Sequence, residues 1–291
     1  MSYDKQVYKN VIKYLKDIGM NDLVKHIKKK NKKAPSDDDA SVIWKEQSFI
    51  NFPIFYLASL YLYDYAKSLK CTTFLFATRD CCHWYKIFHK LYPEADAHYF
   101  NCSRNMFRRG VNNPYFRAYV QSLIKDIKST IYIDIHGTGL TMFRYFQSAF
   151  GEVPHCFMLS AKAKDYSGMP SISRKYFKEG KFINLVFRSR ATPIEMLNYD
   201  IVGTLQNYDE TGPVRDKLEY NKNLIQNYHN CTKALLKKLP NPPNIKRDKL
   251  HKAIIQMFEG ILTKRPIISK QIVHMLSHGK KHAKKLEQIN I

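Results

Sequence analysis

The chain has 291 residues, 44% hydrophobic and 13% aromatic, which is ample for a buried core and far from a disordered composition. Its 48 lysines and arginines against 25 acidic residues leave a formal charge of +23, a field that favours nucleic acid, nucleotides, anionic membrane or acidic partners. No run approaches the roughly 18 consecutive apolar residues of a membrane helix, and the first ten residues, MSYDKQVYKN, lack the apolar region of a secretion signal. The six cysteines (Cys71, Cys81, Cys82, Cys102, Cys156 and Cys231) show no disulfide-framework spacing and are expected as reduced thiols of a soluble, cytoplasmic protein.

In chain order, Val7, Val11, Leu15 and Ile18, then Leu23, Val24 and Ile27, recur at helical spacing on either side of Gly19. Residues 1–39 are therefore expected as a basic helical arm that closes on a linker containing Pro35. An α/β domain is expected over residues 40–213. Phe52 to Leu69 predicts a long aromatic helix, and five apolar runs predict strands: Thr72–Ala77, Ala97–Cys102, Thr130–Ile135, His155–Ser160 and Phe182–Phe187. Helical patterns over Trp84–Leu91, Tyr115–Ile127 and Thr141–Phe150 alternate with them, and Ser103–Pro114 is expected as a basic loop. Such alternation predicts a doubly wound, mostly parallel sheet whose ligands bind at the carboxyl ends of the strands. Residues 214–291 are expected as a helical segment: Val214–Leu239, Leu250–Lys264 and Ile268–Ile289, with the stiff break PNPPN at 240–244.

The segment Ile131–Phe143, IYIDIHGTGLTMF, carries the most chemistry. An apolar strand ends at Asp134, a Gly/Thr loop follows, and a helix starts near Thr141. Glycines let the backbone approach an anion, threonine hydroxyls donate to phosphate oxygens, and a helix N-terminus adds N–H groups and a favourable dipole. The candidate phosphate-binding residues are His136, Gly137, Thr138, Gly139 and Thr141, with Asp134 as the candidate catalytic carboxylate. The GK[ST] of a Walker A loop is missing.

This segment resembles the class I phosphoribosyltransferase loop, in which a strand runs into acidic–acidic–x–x–x–Thr–Gly–x–Thr. Asp134, Thr138, Gly139 and Thr141 match, while Ile133 stands at the first acidic position. The resemblance implies that Asp134 orients ribose hydroxyls and that an earlier strand ends in a pyrophosphate-binding loop, here Thr78, Arg79 and Asp80. It also implies a basic residue after the second strand, Arg104, and a basic flexible loop that Arg108 and Arg109 would supply. Magnesium bridging a pyrophosphate is the implied cofactor, and a phosphorylated sugar or nucleotide the implied ligand. The strings FATRDCCHWYKIF, YFNCSR and YIDIHGTG, with TPIEMLNYDIVGTLQNYDETGPV after them, are similar to a poorly characterised family with (S/T)RD, YxxSR and (V/I)DxxGTG motifs. Its bacterial members accompany polysaccharide genes and are labelled hydrolase-like, which implies the phosphoribosyltransferase-like fold with or without retained transfer activity.

Haloacid-dehalogenase motif I is a second resemblance, through Asp134, Gly137 and Thr138, but His136 stands where the acid–base Asp of those phosphatases belongs. A third reading is a basic nucleic-acid-binding protein without catalysis, built on the lysine blocks Lys25–Lys33 and His278–Lys285. Other candidates are a Cys–His nucleophile or a zinc site among Cys81, Cys82, His83 and Cys102, and further arginines, Arg188 and Arg190, after the fifth strand. Asp209 and Glu210 are expected in a turn. The lysine- and asparagine-rich composition matches an AT-rich genome, such as that of a large virus acting in host cytoplasm or packed in a virion.

Overall fold

A computed structural model describes residues 2–36, 38–187, 194–195, 197–218 and 221–262. Arg188, Arg190, the expected helix over 268–289 and the second lysine block lie outside the described residues. Two compact units make up the chain: Met1–Tyr61, Thr192–Ile201 and Glu219–Ile291 form one, and Leu62–Ala191 with Val202–Leu218 the other.

The first unit is helical. Helix α1 (Ser2–Asp17) buries Val7, Val11 and Leu15, and α2 (Asn21–Asn31) buries Leu23, Val24 and Ile27. The break between them is Gly19, whose φ of +86° reverses the chain at no steric cost. Helix α3 (Asp38–Glu46), unforeseen in the sequence, runs through a π-helical turn (Gln47–Asn51) into α4 (Phe52–Ser68). That turn carries buried amides that satisfy one another: Asn51 Nδ2 donates to Gln47 Oε1 at 2.7 Å, and Asn198 Nδ2 to Asn51 Oδ1 at 2.9 Å. Burying these amides is tolerable only because they are paired. Two later helices, Lys222–Leu236 and Arg247–Leu262, bury Ile225, Tyr228 and Leu235, and Leu250, Ile254 and Phe258.

The second unit is a five-stranded parallel sheet. Its strands are β1 (Thr73–Ala77), β2 (Asp96–Phe100), β3 (Thr130–Gly137), β4 (His155–Ala161) and β5 (Phe182–Phe187), in the order β2-β1-β3-β4-β5. The expected α/β class and parallel sheet are therefore present. Helices α5 (Cys82–Leu91), α6 (Arg104–Arg109), α7 (Pro114–Leu123), α8 (Leu140–Phe150) and α9 (Ser171–Lys178) lie between the strands. Rings fill the core of the unit. Phe74 and Phe76 of β1 meet Phe88 of α5 at centroid distances of 4.8 and 5.1 Å. In a second cluster, Tyr145 of α8 lies 5.5 Å from Phe107 and 5.2 Å from Phe116. Ring pairs of this kind contribute about 0.5–1.5 kcal/mol each beyond the area they bury.

Two expectations fail. Ser103–Pro114 is not a loop: α6 and a 3-10 turn (Gly110–Asn112) occupy it. Ser103 caps α6, its hydroxyl accepting from the Met106 N–H at 3.1 Å, while Met106 and Phe107 turn inward. The basic residues thus sit on a helix with an apolar side, which composition alone did not reveal. Likewise, Val214–Leu239 is not one helix. Strands β6 (Leu205–Asp209) and β7 (Gly212–Arg215) form an antiparallel hairpin, and the helix starts only after Asn221, whose side chain caps it. Asp209 makes the hairpin turn by accepting from the Thr211 N–H at 2.8 Å and hydroxyl at 2.7 Å. Arg215 fastens β7 with donations to Asn101 Oδ1 at 2.6 Å and the Gly203 carbonyl at 3.0 Å.

Candidate functional site

The chain leaves β1 to pair β2 on one side and then crosses to place β3 on the other, so β1 and β3 flank the switch point of the sheet. The loops after their carboxyl ends are residues 78–81 and 138–139. At such a point consecutive connections diverge to opposite faces and leave a crevice.

Thr78 ties two of the strand ends together. Its hydroxyl accepts from the Cys102 N–H at 3.1 Å and donates to the Cys102 carbonyl at 3.0 Å, while its N–H reaches the Phe100 carbonyl at 2.9 Å. The Thr78–Arg79 peptide bond is cis. Tyr99 of β2 donates to the Arg79 carbonyl at 3.3 Å, fixing the next residue of the loop. Arg79 Nε stands 3.9 Å from Asp80 Oδ1, a pair of which 16% and 32% of the side chains remain open. Burial raises the Asp80 carboxyl above its usual value, against the downward pull of Arg79 and Arg104.

Alternation in β3 puts Tyr132, Asp134 and His136 on one face and Ile131, Ile133 and Ile135 on the other. Asp134 accepts from Tyr132 Oη at 3.1 Å and from the Ile135 N–H at 2.8 Å. Burial, and then the neighbouring Asp80, push its carboxyl up to about 7, although both hydrogen bonds and Arg104 work in the opposite direction. The Asp80 charge thus acts on Asp134 from the adjacent strand end, with Arg104 acting on both.

Beyond Asp134, Gly139 takes φ +70° and starts α8. A Cβ there would come within 2.7 Å of the Phe143 ring, so only glycine fits. No side chain caps α8 at this end among the described residues, which leaves its first N–H groups turned toward the loop. Ser173 of α9 donates to the Thr138 carbonyl at 2.6 Å, and the Lys162 N–H to the Gly137 carbonyl at 2.9 Å, so the Gly/Thr loop is held from outside. His136, Gly137, Thr138 and Thr141 are part-exposed there.

No family model, curated protein or solved structure matches this chain.

Of the residues singled out in the sequence, Asp80, Arg79, Arg104 and Asp134 share one electrostatic neighbourhood. Thr78 is there too, with its hydroxyl spent on Cys102. Arg108 and Arg109 lie exposed on α6 rather than in a flexible loop. Cys81, Cys82 and Cys102 are buried, and burial followed by the Asp134 charge drives the Cys81 and Cys102 thiols upward, away from the thiolate that a nucleophile needs. Among the described residues Cys81, Cys82, His83 and Cys102 do not gather their ligand atoms around one point, so the zinc reading has no geometric basis. Sequence reasoning missed Tyr132, although the period-2 pattern of IYID already placed its hydroxyl beside Asp134.

Ile133 is fully buried and faces away from Asp134. The position where the phosphoribosyltransferase loop carries its first acid is here part of the core. Ile133→Asp is expected to cost about 3–5 kcal/mol in urea unfolding, because it buries an unpaired carboxyl.

Proposed function

We propose that the second unit binds a phosphorylated sugar or nucleotide at the carboxyl ends of β1, β2 and β3, in the manner of a phosphoribosyltransferase-like site. The observation that carries this reading is the register that sets the carboxyl ends of β2, β1 and β3 side by side, so that Arg104 after β2, Arg79 and Asp80 after β1, and Asp134 of β3 come from neighbouring strand ends. Three strand ends distant in sequence present two cations and two carboxylates to one crevice, beside an uncapped helix N-terminus. Arg79 and Arg104 supply planar, permanently charged donor forks suited to a pyrophosphate. The 137–141 loop and the first N–H groups of α8 receive a terminal phosphate. Asp134 orients sugar hydroxyls, and Asp80 provides the second carboxylate that Ile133 does not.

The donor set fits magnesium. Asp80 and Asp134 offer hard oxygen ligands, and a divalent cation would offset the burial that raises both carboxyls and the Asp80 charge that raises Asp134 further. Bound there with a pyrophosphate, magnesium would neutralise the leaving group's charge. The reaction open to such a site is displacement of pyrophosphate at an anomeric carbon, with positioning and fixed charge as the protein's contribution. The phosphatase alternative has less support. His136 replaces its acid–base residue, and β4 and β5 themselves end in Ser160–Ala161 and Val186–Phe187 rather than in a carboxylate.

Titration calorimetry with phosphoribosyl pyrophosphate and magnesium tests the reading. Saturable binding that weakens at least 10-fold in Arg104→Ala is expected. Arg104 is exposed, so its loss leaves the fold intact. Absence of heat at millimolar ligand, or equal affinity in the variant, would overturn it.

A further inference from the structure

The first unit contains a charged surface that the crevice does not use. Helix α2 and the end of the helix Lys222–Leu236 are joined by a hydrogen bond from His26 Nε2 to the Leu235 carbonyl, 2.7 Å long. This bond brings Lys237 and Lys238, which follow Leu235 directly, to the lysine-rich end of α2. Lys28, Lys29, Lys32, Lys33, Lys237 and Lys238 are all exposed. None of the six has an acidic partner within ion-pair distance among the described residues; the nearby Asp22 pairs with Lys25 at 3.2 Å. Lys30 sits among them, its ammonium pushed down by burial and then by Lys33, Lys237, Lys29 and Lys238. Two segments some 200 residues apart thus converge on a cationic patch with no acidic partner among the described residues, although crowding like charges costs stability.

We propose that this patch binds the sugar–phosphate backbone of a nucleic-acid duplex, independently of base sequence. Six exposed lysines at two converging helix ends call for a partner of comparable anionic density, and a duplex carries about one charge per 1.7 Å of its axis. An amphipathic membrane contact is disfavoured by the burial of Leu23, Val24 and Ile27, the whole apolar side of α2. The exposed large apolar side chains among the described residues, Tyr115, Phe177 and Val214, all belong to the second unit. Neither Asn21–Lys33 nor Leu236–Pro240 contains a phenylalanine, tyrosine or tryptophan on which unpaired bases could stack, which favours a duplex over a single strand.

The test is fluorescence anisotropy of the full chain with a labelled 20-base-pair DNA duplex of arbitrary sequence, from low to physiological salt. The expected result is a dissociation constant that climbs linearly with salt on logarithmic axes, with a slope of about 0.9 per phosphate contacted. Replacing Lys29, Lys33, Lys237 and Lys238 by alanine should weaken binding at least 10-fold and flatten the slope. A control replacing Lys90, Lys164, Lys178 and Lys217, exposed lysines of the second unit, removes the same charge and should change affinity less than 3-fold. Equal losses in the two variants would mean that net charge alone is responsible and would overturn the assignment. So would a salt-independent affinity, or binding to phosphatidylserine vesicles without binding to the duplex.

Discussion

Asp134→Asn is expected to leave the protein more stable than the wild type at pH 8 and indistinguishable from it below pH 4. The carboxyl titrates at about 7 in the folded chain against a usual value of 3.8, because burial and Asp80 oppose its ionisation. A group that holds its proton more tightly when folded withdraws stability as pH rises. The loss begins near the unfolded value, grows through the interval up to about 7 and levels off above it. The whole shift corresponds to about 4 kcal/mol. The residue is part-exposed, and solvent screening reduces the realised gain to about 2 kcal/mol. Thermal melts of both proteins between pH 4 and 8 read it directly. The same substitution should weaken phosphoribosyl pyrophosphate binding at least 100-fold, since an amide neither accepts two sugar hydroxyls nor offers a charge to magnesium. Gain of stability with loss of binding is the signature of a group kept for function against the preference of the fold.

Gly139→Ala should be among the most damaging single-methyl changes in the second unit, at about 2–4 kcal/mol. Two effects add. The residue sits at φ +70°, where a Cβ costs about 1–2 kcal/mol. The new methyl would meet Phe143 Cε2 at 2.7 Å, and that ring is fully buried, so it yields only by disturbing the core. Denaturant midpoints check the size. If the loop were free to relax, the cost would fall below about 1 kcal/mol and the case for a rigid phosphate cradle would go with it.

Much of this architecture was legible in the sequence because the central strands β1, β3 and β4 are short apolar runs buried along most of their length. Phe182–Phe187 is found where its apolar run predicts, and β1, β3 and β4 start or end within a residue or two of expectation. The hairpin β6–β7 was not legible, because its strands, LQNYD and GPVR, are half-exposed and lack alternation. Helix α6 was hidden by its three arginines; only the Ser103 cap and the Met106–Phe107 pair marked it. In the crevice, the Asp–x–x–x–Thr–Gly spacing pointed to Asp134 and Gly139, both local features of one segment. The relation between Asp80 and Asp134 depends on strand order, which no local pattern encodes, so the second carboxylate was assigned to a pyrophosphate loop and its partnership with the first went unread.

Asp80 and Asp134 stand at adjacent strand ends on either side of the switch point, and the charge of the first raises the carboxyl of the second. A carbon-13 NMR titration of the Asp134 carboxyl, in the wild type and in Asp80→Asn, measures that relation without any ligand. The predicted result is a midpoint near 7 in the wild type that moves downward once Asp80 loses its charge. A midpoint close to 4 in both proteins would contradict it, showing two solvated carboxylates that do not share a site.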